Sequence, residues 1–258
     1  MQNDLRNPTS RRIFLTLLLL VVALFSGSAW AADGDLDPEW ATWGFTTVGA
    51  PGTFNFGYGM ALQCDGKVVV TGMINYLGVE DAELAVVRFN PDGSLDTSFA
   101  TSGIFAFDPS LYADHGMDVA IQPDGKIVVV GSTVGLSGWE FAVLRLTQDG
   151  SLDSTFSGDG YHAFDFGGAS QAHGVALQND GRIVVVGETI NTTAMAIARL
   201  TTGGLLDTTF DGDGLKILDF TLGDDSAWDV ALQRNGRILV LGTADVGTGS
   251  VVAVVRLL

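Results

Sequence analysis

The chain has 258 residues, 47% of them hydrophobic and 17% charged, and its 30 acidic side chains outnumber 13 basic ones to leave a formal charge of −17. So acidic a protein repels phosphate backbones, which excludes nucleic acid as a partner. Cys64 is the only cysteine, so no internal disulfide can form and stability must come from packing.

Arg6, Arg11 and Arg12 precede the apolar run IFLTLLLLVVALF, and small residues follow it up to Ala29-Trp30-Ala31. Basic, apolar and A-x-A segments in that order predict a secretory signal peptide over 1–31 and one domain over 32–258, periplasmic or secreted. A permanent anchor is the alternative reading, but the run is shorter than the roughly 20 residues of a helical span. No membrane span is therefore expected once the signal is removed. The Arg11-Arg12 pair leaves the ordinary and the twin-arginine export routes both open.

The stretch DGDLDPEW at 33–40 returns as DGSLDTSF at 92–99, DGSLDSTF at 149–156 and GGLLDTTF at 203–210. A second landmark recurs beside it: ALQCDGKVVVTG, AIQPDGKIVVVG, ALQNDGRIVVVG and ALQRNGRILVLG, starting at Ala61, Ala120, Ala176 and Ala231. Its glycines, Gly66, Gly125, Gly181 and Gly236, are spaced by 59, 56 and 55, and Asp37, Asp96, Asp153 and Asp207 of the first landmark by 59, 57 and 54. Two landmarks drifting together define a repeat, with units at about 58–114, 115–172, 173–227 and 228–258.

Each unit reads as four short strands. The first ends in ALQ or AIQ, and an Asp-Gly or Asn-Gly pair predicts a two-residue hairpin turn into a β-branched second strand. A variable loop leads to a third strand ending in VVRF, VLRL, IARL or VVRL, and after the DGSLDTSF corner comes a fourth, GIFAF, GYHAFDF or GLKILDF. No stretch after residue 31 has helical periodicity, so the expected class is all-β. Four antiparallel strands per unit of this length describe a β-propeller blade. The segment 33–57 carries a corner and a fourth-type strand, GFTTV at 44–48, and the last unit has three strands. Pairing that N-terminal strand with the C-terminal three would close a four-bladed ring and remove its edges.

The order ALQxDGKIVVVG, then RL, then DGSLDTSF and a glycine before an apolar strand, resembles the delta-60 repeat family across 33–258. That resemblance implies a β-propeller in an exported bacterial protein and carries no assigned activity. The unit count is low beside longer arrays of the family, and the last unit is short. A larger ring shared by two chains is the alternative, so monomer and dimer both stand.

Every unit places an arginine late in its third strand, Arg88, Arg145, Arg199 and Arg256, with Asp96, Asp153 and Asp207 eight positions after the first three and Asp37 as the counterpart of the fourth. A pair in every blade is scaffolding, either as an ion pair or as an aspartate capping the turn. Phe99, Phe156 and Phe210, with Trp40, are its apolar partners, and Gly44, Gly103, Gly160 and Gly214 mark backbone of positive φ.

Function in a repeat protein lies where the copies disagree. There is no G-x-S-x-G elbow, P-loop or dinucleotide glycine pattern, and His115, His162 and His173 lack metal-ligand spacing. Counting back four from Gln63, Gln122, Gln178 and Gln233 gives Gly59, Asp118, Gly174 and Asp229 on the strand that lines a propeller channel. Asp118 and Asp229 are thus candidates for a cation site, with calcium as its ion, or are solvated acids or turn caps. Asp211 and Asp213 in DGDG form a fragment of a calcium loop or a plain turn. Tyr76, Tyr112, Trp139 and Trp228 are large aromatics in polar loops, suited to glycan or protein recognition or to anchoring the loop. Cys64 is an exposed thiol or structural filler. The expected function is a non-catalytic binding or scaffold module with no resident cofactor. A multimerising adhesive surface protein and a small propeller enzyme acting on polysaccharide are the alternatives.

Overall fold

A computed structural model describes residues 34–49, 53–76, 82–110, 112–136, 138–220 and 223–258. The predicted signal peptide lies outside them, and no helix among them is long and apolar enough to cross a membrane. The chain divides into two units, one ending at Phe45 and one spanning Thr46–Leu258.

In the first unit the corner motif folds on local bonds. Trp40 N–H donates to Asp37 O at 3.2 Å and Gly44 N–H to Trp40 O at 2.8 Å, and Thr42 bridges Phe45. Asp37 is exposed, and its Oδ1 accepts from Glu39 N–H at 2.9 Å.

The second unit is all-β, with fifteen strands in four antiparallel sheets among its described residues. The first blade is β1 (Thr53–Leu62), β2 (Val68–Tyr76), β3 (Ala82–Phe89) and β4 (Ile104–Phe107); the second is β5 (His115–Ile121), β6 (Ile127–Gly135), β7 (Gly138–Leu146) and β8 (Tyr161–Phe164). The third is β9 (Ser170–Leu177), β10 (Ile183–Thr189), β11 (Ala194–Leu200) and β12 (Leu215–Leu218), and the fourth has β13 (Ser226–Leu232), β14 (Ile238–Asp245) and β15 (Ser250–Leu257). Each blade is a meander in chain order, and these blades are those of a four-bladed β-propeller. The inner strands pack in sequence, β1 on β5, β5 on β9 and β9 on β13.

The ring-closing pairing expected of residues 44–48 is not formed among the described residues. Residues 46–48 are in no strand, and β15 has only β14 as a ladder neighbour. Arg256 correspondingly has no ion pair among the described residues and is exposed on β15.

The hairpin between the first two strands also departs from expectation. Gln63 N–H donates to Lys67 O at 2.8 Å and Gly66 N–H to Gln63 O at 3.0 Å, leaving three residues, Cys64 to Gly66, in the loop. Gly66 has φ +83° while Asp65 keeps a negative φ. A type I turn followed by a left-handed glycine matches the strand twist with a single glycine, whereas the two-residue turn needs positive φ at both positions. Gly125, Gly181 and Gly236 repeat the arrangement at φ +80°, +84° and +84°.

Packing is blade on blade. Val69, Leu84, Val86 and Phe99 of the first blade meet Val119, Ile127, Val129, Leu144 and Leu146 of the second. Val128, Val130, Phe141 and Val143 of the second meet Val175, Ile183 and Val185 of the third. The third presents Val184, Val186, Met195 and Ile197 to Ala227, Val230, Ile238 and Val240 of the fourth. Alternation along each β-branched strand sends odd and even side chains to opposite neighbours, and each fully buried one contributes about 1.5–3 kcal/mol.

The corners clamp the outer rims of these interfaces. Arg88 Nε donates to Asp96 Oδ2 at 2.7 Å, Arg145 Nε to Asp153 Oδ2 at 2.7 Å and Arg199 Nε to Asp207 Oδ2 at 2.8 Å. The basic residue at the mouth of each second strand joins them: Lys67, Lys126 and Arg182 reach the same oxygens at 2.9, 3.0 and 2.9 Å. The other oxygen caps the turn, Asp96 Oδ1 accepting from Ser98 N–H at 3.1 Å and Ser98 Oγ at 2.6 Å. Ion pairing and capping, alternatives in sequence, are therefore divided between the two oxygens of one carboxylate. Burial pushes the Asp96 carboxyl up, but the bonds from Ser98, Lys67 and Arg88 outweigh it and hold it well below the usual range. Each arginine also lies over its corner ring, 4.4, 4.8 and 4.9 Å from Phe99, Phe156 and Phe210. Arg145 Nη1 reaches across to Thr202 O of the next blade at 2.7 Å, tying blade to blade.

Candidate functional site

Every inner strand carries a β-bulge at one place. The register slips between Gly57 and Gly59, Gly116 and Asp118, and Ala227 and Asp229, and in β9 Ala172 and Gly174 face the consecutive Gly187 and Val186. The extra residues are Tyr58, Met117, His173 and Trp228. A bulge re-aims its side chain and is enriched beside functional sites. The bulge also explains the glycine that ends VVVTG, IVVVG, IVVVG and LVLG. A Cβ at Gly131 would lie 1.8 Å from His115 O, and one at Gly187 1.9 Å from Gln171 O, so the bulged carbonyl requires bare backbone opposite it.

Two aromatic and imidazole clusters stand on these bulges. On the first two blades Phe56 stacks on Tyr58 with centroids 6.3 Å apart, Tyr58 lies 6.4 Å from His115, and His115 lies 5.2 Å from Trp139. Burial holds the His115 imidazole below its ordinary value, favouring the neutral ring. On the last two blades His173 lies 4.6 Å from Trp228, and its Nε2 is 3.6 Å from Glu188 Oε1. That separation is an ion-pair approach rather than a hydrogen bond, and neither His173 nitrogen has a hydrogen-bond partner among the described residues. Glu188 also accepts a bond from Ser226 Oγ. The contact with His173, then the Ser226 bond, outweighs burial and holds the Glu188 carboxyl low. Tyr58 is 45% and Trp228 50% exposed, so each offers a ring face from a rigid frame.

Asp118 and Asp229 follow two of the bulges. Asp118 Oδ1 accepts from Val119 N–H at 2.8 Å and Oδ2 from Val175 N–H of the third blade at 2.9 Å, while Asp229 Oδ1 accepts from Val230 N–H at 2.7 Å. Burial and the Asp229 charge raise the Asp118 carboxyl against these two bonds. Both aspartates are committed to backbone amides. Among the described residues no group of three or more His, Cys, Asp or Glu could hold a metal ion.

The remaining sequence candidates lie apart from the bulges. Asp211 accepts from Lys216 Nζ at 2.9 Å and Asp213 from Leu215 N–H at 2.9 Å, at the turn into the outermost strand β12. Asp213 lines a shallow cleft there with Phe166, Gly167, Leu215 and Ile217. Tyr112 is exposed, its N–H donating to Ser110 Oγ at 3.1 Å, and Tyr76 ends β2. His162 holds Gly204 O at 2.7 Å, and Cys64 is an exposed free thiol. Trp139 and Trp228 are therefore brought to the bulge clusters, Tyr112 has no ring contact with them among the described residues, and the side chain of Tyr76 lies outside the described ones. Phe56, Tyr58 and Glu188 escaped the sequence reading, and His115 and His173 entered it only as histidines without metal-ligand spacing. Their signal was a large residue flanked by two small ones, as in Gly57-Tyr58-Gly59 and Ala172-His173-Gly174, just ahead of ALQ.

Residues 63–99, 122–156, 178–210 and 233–258, more than half of the chain, match a family model described as a domain of unknown function (DUF5122) beta-propeller. No curated protein matches the chain. A solved protein of unknown function from Bacteroides caccae is 14% identical with a TM-score of 0.45, the match covering 79% of this chain and 61% of that one. An exo-beta-1,3-galactanase from Clostridium thermocellum is 14% identical (TM-score 0.41; 77% and 45% covered), and an endo-arabinase from Bacteroides thetaiotaomicron 12% identical (TM-score 0.40; 79% and 73% covered). The chain spans less than two thirds of the length of the first two.

Proposed function

The chain belongs to the DUF5122 beta-propeller family, and from that premise we propose that it is an exported, non-catalytic binding module that takes a glycan on its bulge clusters. The resemblance to exported delta-60 repeats and the signal-like segment over 1–31 support export. The observation that carries the binding reading is the pair of half-exposed rings, Tyr58 and Trp228, displayed by bulges of packed inner strands. An aromatic face takes the apolar face of a sugar ring, and an adjacent polar group such as the partly exposed Glu188 takes its hydroxyls. Rigid display lowers the entropy lost on binding.

Calorimetric titration of the full chain against neutral and acidic oligosaccharides tests this. Saturable binding is expected, weakened about tenfold or more by Trp228→Ala, a loss of about 1.4 kcal/mol or more, with no release of reducing sugar. Absence of binding across the panel, or equal binding by Trp228→Ala and Tyr58→Ala, would overturn it.

A further inference from the structure

Three blade junctions inside the chain show what each blade face is built to meet. The residue after each bulge-flanking Gly or Asp is apolar and points to the preceding blade: Val119, Val175 and Val230 are 5%, 8% and 7% exposed. Its equivalent in the first blade, Met60, is 76% exposed, with Leu62 beside it at 70%. The opposite face of the fourth blade is bare in the complementary way. Met195 and Ile197 of the third blade are fully buried, whereas their equivalents Val252 and Val254 are 77% and 67% exposed. Among the described residues β1 and β13 are not one of the closely packed strand pairs. One surface is an uncovered leading face and the other an uncovered trailing face, and faces of these two kinds cover each other at all three internal junctions.

The inner strands also state the register. Junctions alternate in kind: Gly59 sits so close to the second blade that a Cβ would lie 2.8 Å from Asp118 Cα, and Gly174 meets Asp229 Cα in the same manner at 3.3 Å. Between them, Asp118 Oδ2 takes the amide that follows Gly174, Val175 N–H, at 2.9 Å. After the fourth blade an aspartate-to-amide junction is due. Asp229 has Oδ1 on its own Val230 N–H, as Asp118 has on Val119, and Oδ2 is unpaired among the described residues. Its counterpart amide, following a first-blade glycine, is Met60 N–H.

We propose that a second copy of this chain covers both faces. The trailing face of each fourth blade packs on the leading face of the other copy's first blade, with Asp229 Oδ2 accepting from the partner copy's amide at position 60, in a two-fold ring with two identical contacts. The leading face is apolar and the trailing face is apolar with one acid at its inner edge, as at the internal second-to-third junction.

Light scattering on the eluting full chain is expected to give twice the single-chain mass at micromolar concentration. Met60→Asp and Val254→Asp each place a charge in the contact and weaken association on the order of 100-fold. Both positions are exposed in the single chain, so each variant keeps the wild-type circular dichroism and unfolding temperature of the dilute protein. Mixing the two variants restores one unaltered contact and recovers pairs that neither forms alone. A wild-type monomer, as a ring closed within one chain would give, overturns the proposal. So does dimerisation unaffected by Met60→Asp, or a mixture that recovers nothing.

Discussion

Ile197 and Val254 hold the same place in the third strands of consecutive blades, and so do Arg199 and Arg256, yet one member of each pair is embedded and the other lies open. Ile197 is fully buried while Val254 is 67% exposed. Arg199 is ion-paired to Asp207 under a phenylalanine ring, and Arg256 has no ion pair among the described residues. Identical pattern thus acquires different energetic weight according to whether another blade packs on it. The repeat supplies the faces, and neighbours make them a core.

The contrast can be sharpened by cutting equivalent residues. The largest effect is expected from Arg145→Ala, which leaves the buried Asp153 with Lys126 as its one cationic partner among the described residues and removes the cross-blade bond to Thr202. It should cost about 3–5 kcal/mol in denaturant unfolding, against less than about 1 kcal/mol for Arg256→Ala. Equal losses would break the comparison. Next, Ile197→Ala should cost about 2–5 kcal/mol and Val254→Ala less than about 0.5 kcal/mol, both measured at a dilution where copies do not associate.

A smaller effect than either buried truncation is a pH dependence. Burial is the main cause that raises the Asp114 carboxyl to about 6, beyond what the Ser110 and Thr133 hydroxyls recover. The folded state therefore binds a proton that the unfolded state has released between about pH 4 and 6. Stability should fall across that window as pH rises, by about 1–3 kcal/mol, and Asp114→Asn should flatten the fall in unfolding curves recorded from pH 4 to 7. Asp96, Asp153 and Asp207 act with the opposite sign. Their carboxyls are held low, so the stability they contribute is present above about pH 4 and is lost on acidification below it.

Much of this architecture was legible as text. The corner motif could be read because its bonds are local, and residues 37–45 form them in a unit containing no blade. Blade count and strand order followed from two landmarks that drift together. The hairpins were placed correctly and their loop length was not, since an Asp-Gly pair is compatible with two turn types and the choice depends on how the flanking strands pair. The closing strand was expected at residues 44–48, where residues 46–48 are in no strand. The bulges were missed because a slipped register is a property of two strands. Tyr58 reads as an ordinary alternating residue until Gly72 is seen pressed against Phe56 O. The candidate site was half visible for the same reason. Trp139 and Trp228 stood out by size, while His115, His173 and Glu188 became relevant only where β5, β9 and β10 bring them beside those rings.

Composition, periodicity and turn chemistry are written locally, and they settled the class, the repeat and the corner clamps, because strand alternation and turn preferences act over a few residues. Which face of a blade is core, which carboxylate oxygen caps and which pairs, and which aromatic rings gather at the bulges depend on contacts between strands and blades far apart in the chain. Such contacts depend on the burial and register that a whole sheet imposes.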